Sequence, residues 1–107
     1  MVEASVISSI KRYLASLPTI GIHARRAVLF GSFAKGESNQ WSDIDLVVIA
    51  PEFDREFDHT VAEDLWGARA NSDIRIEPIP CGVREWEEDD SRPILEIARR
   101  EGIMIDA

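Results

Sequence analysis

The chain has 107 residues, 45% apolar and 30% charged, with 20 acidic against 12 basic side chains for a net charge of −8. That balance describes a single folded domain over residues 1–107, and excludes a disordered segment, a second core, and a long nucleic-acid interface, which needs a basic patch to neutralise phosphates. No apolar run approaches the ~20 residues of a membrane helix, the N-terminus lacks the order of a signal peptide, and the lone Cys81 excludes an internal disulfide, so a cytoplasmic setting is expected.

Val2, Val6, Ile10, Leu14 and Leu17 recur at steps of three and four, which predicts a helix over residues 2–17 with one apolar stripe. Pro18 ends it. RAVLF, residues 26–30, is short, apolar and followed by Gly31, as a buried strand would be. SFAKG has room for one short helix before Gly36, and ESNQWS is a polar loop in which Trp41 is expected to pack as an anchor, although from that loop it could border a nucleotide. DIDLVVIA, residues 43–50, is β-branched, apolar and stopped by Pro51, the clearest strand in the chain. Phe53, Phe57, Val61 and Leu65 fall at four-residue steps and predict a helix over 52–70.

SDIRIEPIP, residues 72–80, alternates, with Asp73, Arg75 and Glu77 on one face and Ile74 and Ile76 on the other. REWEEDDS reads as a solvated loop or short helix. Residues 92–102 read as a helix with Pro93 in its first turn and Gly102 at its end, and residues 103–105 as a short edge strand. Strand, helix and strand over 43–79 make a crossover unit, so the two strands run parallel. The fold class is α/β, a small mixed sheet flanked by helices. Parallel strands start at one sheet end, which would carry Asp73 toward Asp43 and Asp45.

Those aspartates carry the chemistry. At i and i+2 on a strand, Asp43 and Asp45 share a face, and adjacent carboxylates repel unless a cation lies between them. Oxygen-only ligands suit Mg²⁺ or Mn²⁺, with phosphate and water completing the shell. Gly31-Ser32 supplies the complementary half: a glycine turn into a helix exposes backbone N–H groups to phosphate, Ser32 adds a hydroxyl, and Lys35 sits one turn on, where its ammonium could reach a phosphate. Glycine turn and paired aspartates are weak signals singly and strong together, at this spacing.

The stretch GSFAKGESNQWSDIDLVV resembles the signature of the DNA polymerase beta-like nucleotidyltransferase superfamily, and its compactness is similar to the minimal nucleotidyltransferase (MNT) branch. The resemblance implies that Gly31 and Ser32 hold a triphosphate, that Asp43 and Asp45 bind metal, and that a third strand carboxylate completes the site and helps deprotonate an acceptor hydroxyl. For that role Asp73 is favoured over Glu77, being nearer the strand start. It implies a nucleoside triphosphate substrate, ATP by preference, Mg²⁺ or Mn²⁺ as cofactor, and pyrophosphate release. Members of this branch pair with HEPN-domain ribonuclease toxins as antitoxins, some by adenylylating a toxin tyrosine. Lys35 departs from the arginine common there, and lysine lacks the planar fork.

Other readings stand beside these. Ser32 could be a helix N-cap, Lys35 a solvated lysine, and Arg75 an ion-pair partner of the flanking acids. His23, His59 and Cys81 lack metal-ligand spacing. At the level of function the rivals are a non-catalytic module that neutralises a partner by contact and, more weakly, transfer to a small molecule such as an aminoglycoside. A homo-oligomer is compatible with each.

Overall fold

A computed structural model describes residues 2–39, 41–55 and 59–107. The two apolar runs become the inner strands β1 (Arg26–Phe30) and β2 (Ile44–Ile49) of a four-stranded sheet, with β3 (Ile76–Cys81) and β4 (Ile103–Asp106) outside them in the order β3-β2-β1-β4. β1 runs antiparallel to β2 and β4, while β2 and β3 are parallel, as the crossover requires.

Both faces of the sheet are covered, which is why β2 is apolar without alternation. On one face Ile44, Leu46, Val48, Ala27, Leu29 and Ile76 meet Val6, Ile10, Tyr13 and Leu14 of α1 (Ala4–Ser16). Val28, Phe30, Val47, Ile49 and Cys81 form the other, closed by Leu95 and Ala98 of α5 (Pro93–Glu101). Between β1 and β2 lies the one-turn helix α2 (Ser32–Lys35), and α4 (Val83–Glu88) follows β3. Among the described residues no helix is long and apolar enough to cross a membrane.

Two expectations are corrected. The helix over 52–70 is divided: a 3-10 turn at Pro51–Asp54, then α3 (His59–Gly67), then a second 3-10 turn at Ala68–Asn71. Its N-terminal part is diverted because the Asp54 carboxylate accepts the N–H groups of Arg84 at 3.0 Å and Glu85 at 3.3 Å, capping α4 instead. Phe57, part of the expected stripe, lies outside the described residues. The third strand begins at Ile76, not at Asp73, which sits before it, just ahead of a turn.

Candidate active site

Gly31 joins β1 to α2 with φ 75° and ψ −151°, a conformation open only to glycine. The antiparallel register sets Phe30 opposite Asp45, so the turn passes directly against that aspartate. A Cβ on Gly31 would collide with Oδ2 of Asp45. The glycine turn and the paired aspartates are therefore one construction. Ser32 is the first residue of α2 and Gly31 its cap position, with no side-chain cap, so the N-cap reading of Ser32 is corrected. Its hydroxyl is not committed to holding the helix end.

The parallel register places Glu77 beside Asp45. Asp43 is exposed, Asp45 and Glu77 half-buried. Burial raises the Asp45 carboxyl above its ordinary range, a hydrogen bond from Glu77 opposes the rise, and the charge of Asp43 adds to it. Glu77 is raised by burial and then by the charges of Asp43 and Asp45, to both of which it hydrogen-bonds. Asp45 and Glu77 are thus both harder to ionise than isolated carboxyl groups, through burial and the like charges crowded beside them.

Asp73 is placed differently. Arg75 donates from Nε to Oδ1 at 3.0 Å and from Nη2 to Oδ2 at 2.7 Å, and the Arg75 backbone N–H also reaches Oδ1 at 3.0 Å. Those hydrogen bonds hold the Asp73 carboxyl below the usual range. The bond from N–H to a carboxylate two residues back makes Asp73 a turn-former. The structure thus brings Glu77, not Asp73, against Asp43 and Asp45. The turn chemistry of Asp73 was the available signal: aspartate after serine, with an arginine two residues on.

Lys35 pairs with Glu101 of α5 at 3.4 Å, both exposed. Trp41 does not anchor the loop by packing: it is 83% exposed. The loop is braced instead by its polar side chains. His23 bonds Glu52, and Cys81 is buried with its thiol pushed up to about 12, chiefly by burial. A surface cleft of about 490 Å³ lies elsewhere, lined by Asp54, Arg84, Glu85, Glu88, Asp89 and Asp90, too acidic to receive an anionic substrate.

Among the described residues no three side chains stand as a finished metal cage. What fits a divalent cation is the donor chemistry: three neighbouring carboxyl groups, all oxygen, with burial resisting ionisation of Asp45 and Glu77.

The model of the nucleotidyltransferase domain family matches residues 7–100, and the chain belongs to that family. It is accordingly a nucleotidyltransferase, a transferase enzyme of the class its Gly-Ser turn and paired aspartates resemble. A solved structure of a protein from Sulfolobus solfataricus assigned as a nucleotidyltransferase superposes with a TM-score of 0.58 at 14% identity, covering 94% of this chain and 75% of that one. A toxin-antitoxin structure solved with AMP-PNP superposes with a TM-score of 0.59 at 19% identity, covering 92% of this chain and 70% of that one. At such identities the likeness is one of fold. No curated protein matches the chain.

Proposed function

We propose that this nucleotidyltransferase moves AMP from ATP to an acceptor hydroxyl, with Asp43, Asp45 and Glu77 as its acidic residues and Gly31 and Ser32 as its phosphate cradle. The observation that carries the reading is the packing of Asp45 directly over Gly31 while Glu77 hydrogen-bonds to Asp43 and Asp45. In the reaction the acceptor oxygen bonds to the α-phosphorus, the α–β phosphoanhydride breaks and pyrophosphate leaves. The backbone N–H groups after Gly31 and the Ser32 hydroxyl orient the triphosphate. Asp43, Asp45 and Glu77 would hold Mg²⁺ or Mn²⁺, which would supply positive charge between protein and phosphate. Glu77, made more basic by burial and its acidic neighbours, would take the acceptor proton in its ionised form. Asp73 supports the site from outside it by holding Arg75.

The acceptor in this proposal is a protein, a HEPN-type ribonuclease toxin for which the chain serves as cytoplasmic antitoxin. Supporting this are the resemblance to the MNT branch and a structural neighbour described as a toxin-antitoxin with AMP-PNP. Co-expression with such a partner, followed by intact mass after incubation with ATP and Mg²⁺, tests the proposal. A gain of one AMP on the partner is expected, lost with Asp43→Asn or Asp45→Asn. Neutralisation that persists in both variants without any mass gain would replace catalysis by simple contact.

A further inference from the structure

The three tryptophans differ in what covers them. Arg69 lies 4.5 Å over the Trp66 ring and Arg99 lies 4.8 Å over that of Trp86. Trp41 is 83% exposed and, among the described residues, has no such cover. Its backbone is nevertheless pinned. Asn39 Oδ1 accepts the Trp41 N–H at 2.8 Å, Ser42 Oγ accepts the Asn39 N–H at 3.0 Å, and the Ser42 N–H returns to the Asn39 carbonyl at 3.0 Å. A large apolar ring is thus displayed in water from a braced loop, two residues before Asp43.

A second exposed apolar side chain, Ile74, lies in the turn that leads into the neighbouring strand β3, one residue before Arg75, whose carbonyl accepts the Ile44 N–H at the head of β2. Ile74 is 73% exposed, and it and Trp41 are the most exposed large apolar residues among those described. Gly31, Ser32, Asp43, Asp45 and Glu77 offer groups for phosphate and cation and none for a base. Phe33, the nearest other aromatic ring in sequence, is 7% exposed with Arg75 5.5 Å over it, so it presents no free face.

We propose that Trp41, with Ile74 from the neighbouring lead-in, is the platform on which the nucleobase of the bound triphosphate stacks; this rests on the nucleotide-binding reading above. An indole face and an aliphatic side chain carry no pattern of donors and acceptors that would separate adenine from guanine. Stacking area then sets the order: purines bind better than pyrimidines, with little preference between the purines.

The test is calorimetric titration of the chain, Trp41→Ala, Trp41→Phe and Ile74→Ala with ATP, GTP, CTP and inorganic tripolyphosphate, all with Mg²⁺. Trp41→Ala is expected to weaken ATP and GTP by about 5- to 100-fold, Trp41→Phe and Ile74→Ala by less, and none of them tripolyphosphate, which has no base. Unchanged ATP affinity in Trp41→Ala overturns the proposal and leaves the indole to a partner surface. An equal loss for ATP and tripolyphosphate also overturns it, because the loop would then be shaping the phosphate site. If the unaltered chain binds tripolyphosphate but Trp41→Ala has no effect on ATP, only the platform fails. If the unaltered chain binds neither ligand, the nucleotide reading fails with it.

Discussion

At Gly31 one hydrogen atom in place of a methyl allows the whole site to close. The backbone there is at φ 75° and ψ −151°, and the space a Cβ would fill belongs to the Asp45 carboxylate. Gly31→Ala is expected to cost about 1–3 kcal/mol through backbone strain, read as a lower urea midpoint. It should also displace Asp45, so ATP binding with Mg²⁺ is lost even under conditions where the variant remains folded. Asp73 makes the opposite case, a carboxylate satisfied within the protein. Its folded pKa lies below the unfolded one, so its stabilisation is present above the ordinary aspartate range and is lost as pH falls through the folded value. Asp73→Asn should cost about 1–2 kcal/mol at neutral pH, with the gap to the unaltered chain narrowing in urea melts below about pH 4. Nucleotide affinity should survive Asp73→Asn and fall with Glu77→Gln, a comparison that decides which acid is third. The nearness of Asp43 to Asp45 was legible in the sequence, because Asp43 immediately precedes β2 and an extended run keeps i and i+2 together. Asp73 and Glu77 share a face too, so alternation could not separate them. What separates them is where pairing begins, and that depends on an Arg75–Asp73 turn closed by side chains.

Elements show the same division between local and distant causes. The parallel pairing of β2 and β3 followed from chain order, and Pro78 and Pro80 are compatible with a strand because β3 lies at the sheet edge. The carbonyls of Arg75 and Cys81 face β2, where they accept N–H groups of Ile44 and Ala50, so alternate residues 76, 78 and 80 face outward. The prolines therefore lack their N–H where no strand needs it. The outward carbonyls of Ile76 and Pro80 are taken by Arg69 at 3.3 Å and Arg92 at 3.1 Å. Prolines and arginines together close this edge against a further strand, and they hold the lead-in to Glu77 in register. The division of the 52–70 segment was not legible, because its cause lies about 30 residues away. Asp54 caps α4 with both oxygens, and Gly82 leaves it the space, since a Cβ there would strike the Asp54 carboxylate. Asp54→Ala should destabilise the protein by about 1 kcal/mol, seen in urea melts, with early amide exchange in α4. Nucleotide affinity should stay within error, because α4 contributes no group to the proposed site.

For the molecule as a whole, the net charge of −8 and the three gathered carboxyls bear on stability in distinguishable ways. General self-repulsion is relieved by any salt, since exposed charges are screened over about 8–10 Å at physiological ionic strength. The acidic cluster, on the proposed reading, would respond to a cation that binds it. Asp45 and Glu77 have folded pKa values raised above their unfolded ones. Their protonated pairing therefore stabilises the fold at acid pH, and that contribution disappears as pH rises through the folded values. At neutral pH a divalent cation bound there would offset the resulting repulsion, and binding to the folded state alone would add about 2.7 kcal/mol at a hundred times the dissociation constant. For a chain of this length that corresponds to a rise of about 10 °C or more in thermal midpoint. The measurement compares Mg²⁺ and Mn²⁺ with NaCl at matched ionic strength, for the unaltered chain and for Asp45→Asn. A divalent increment beyond NaCl that vanishes in Asp45→Asn is expected. Equal shifts in NaCl and divalent salt, or an increment that survives the substitution, would mean that the carboxylates bind no ion and that their crowding has some other purpose.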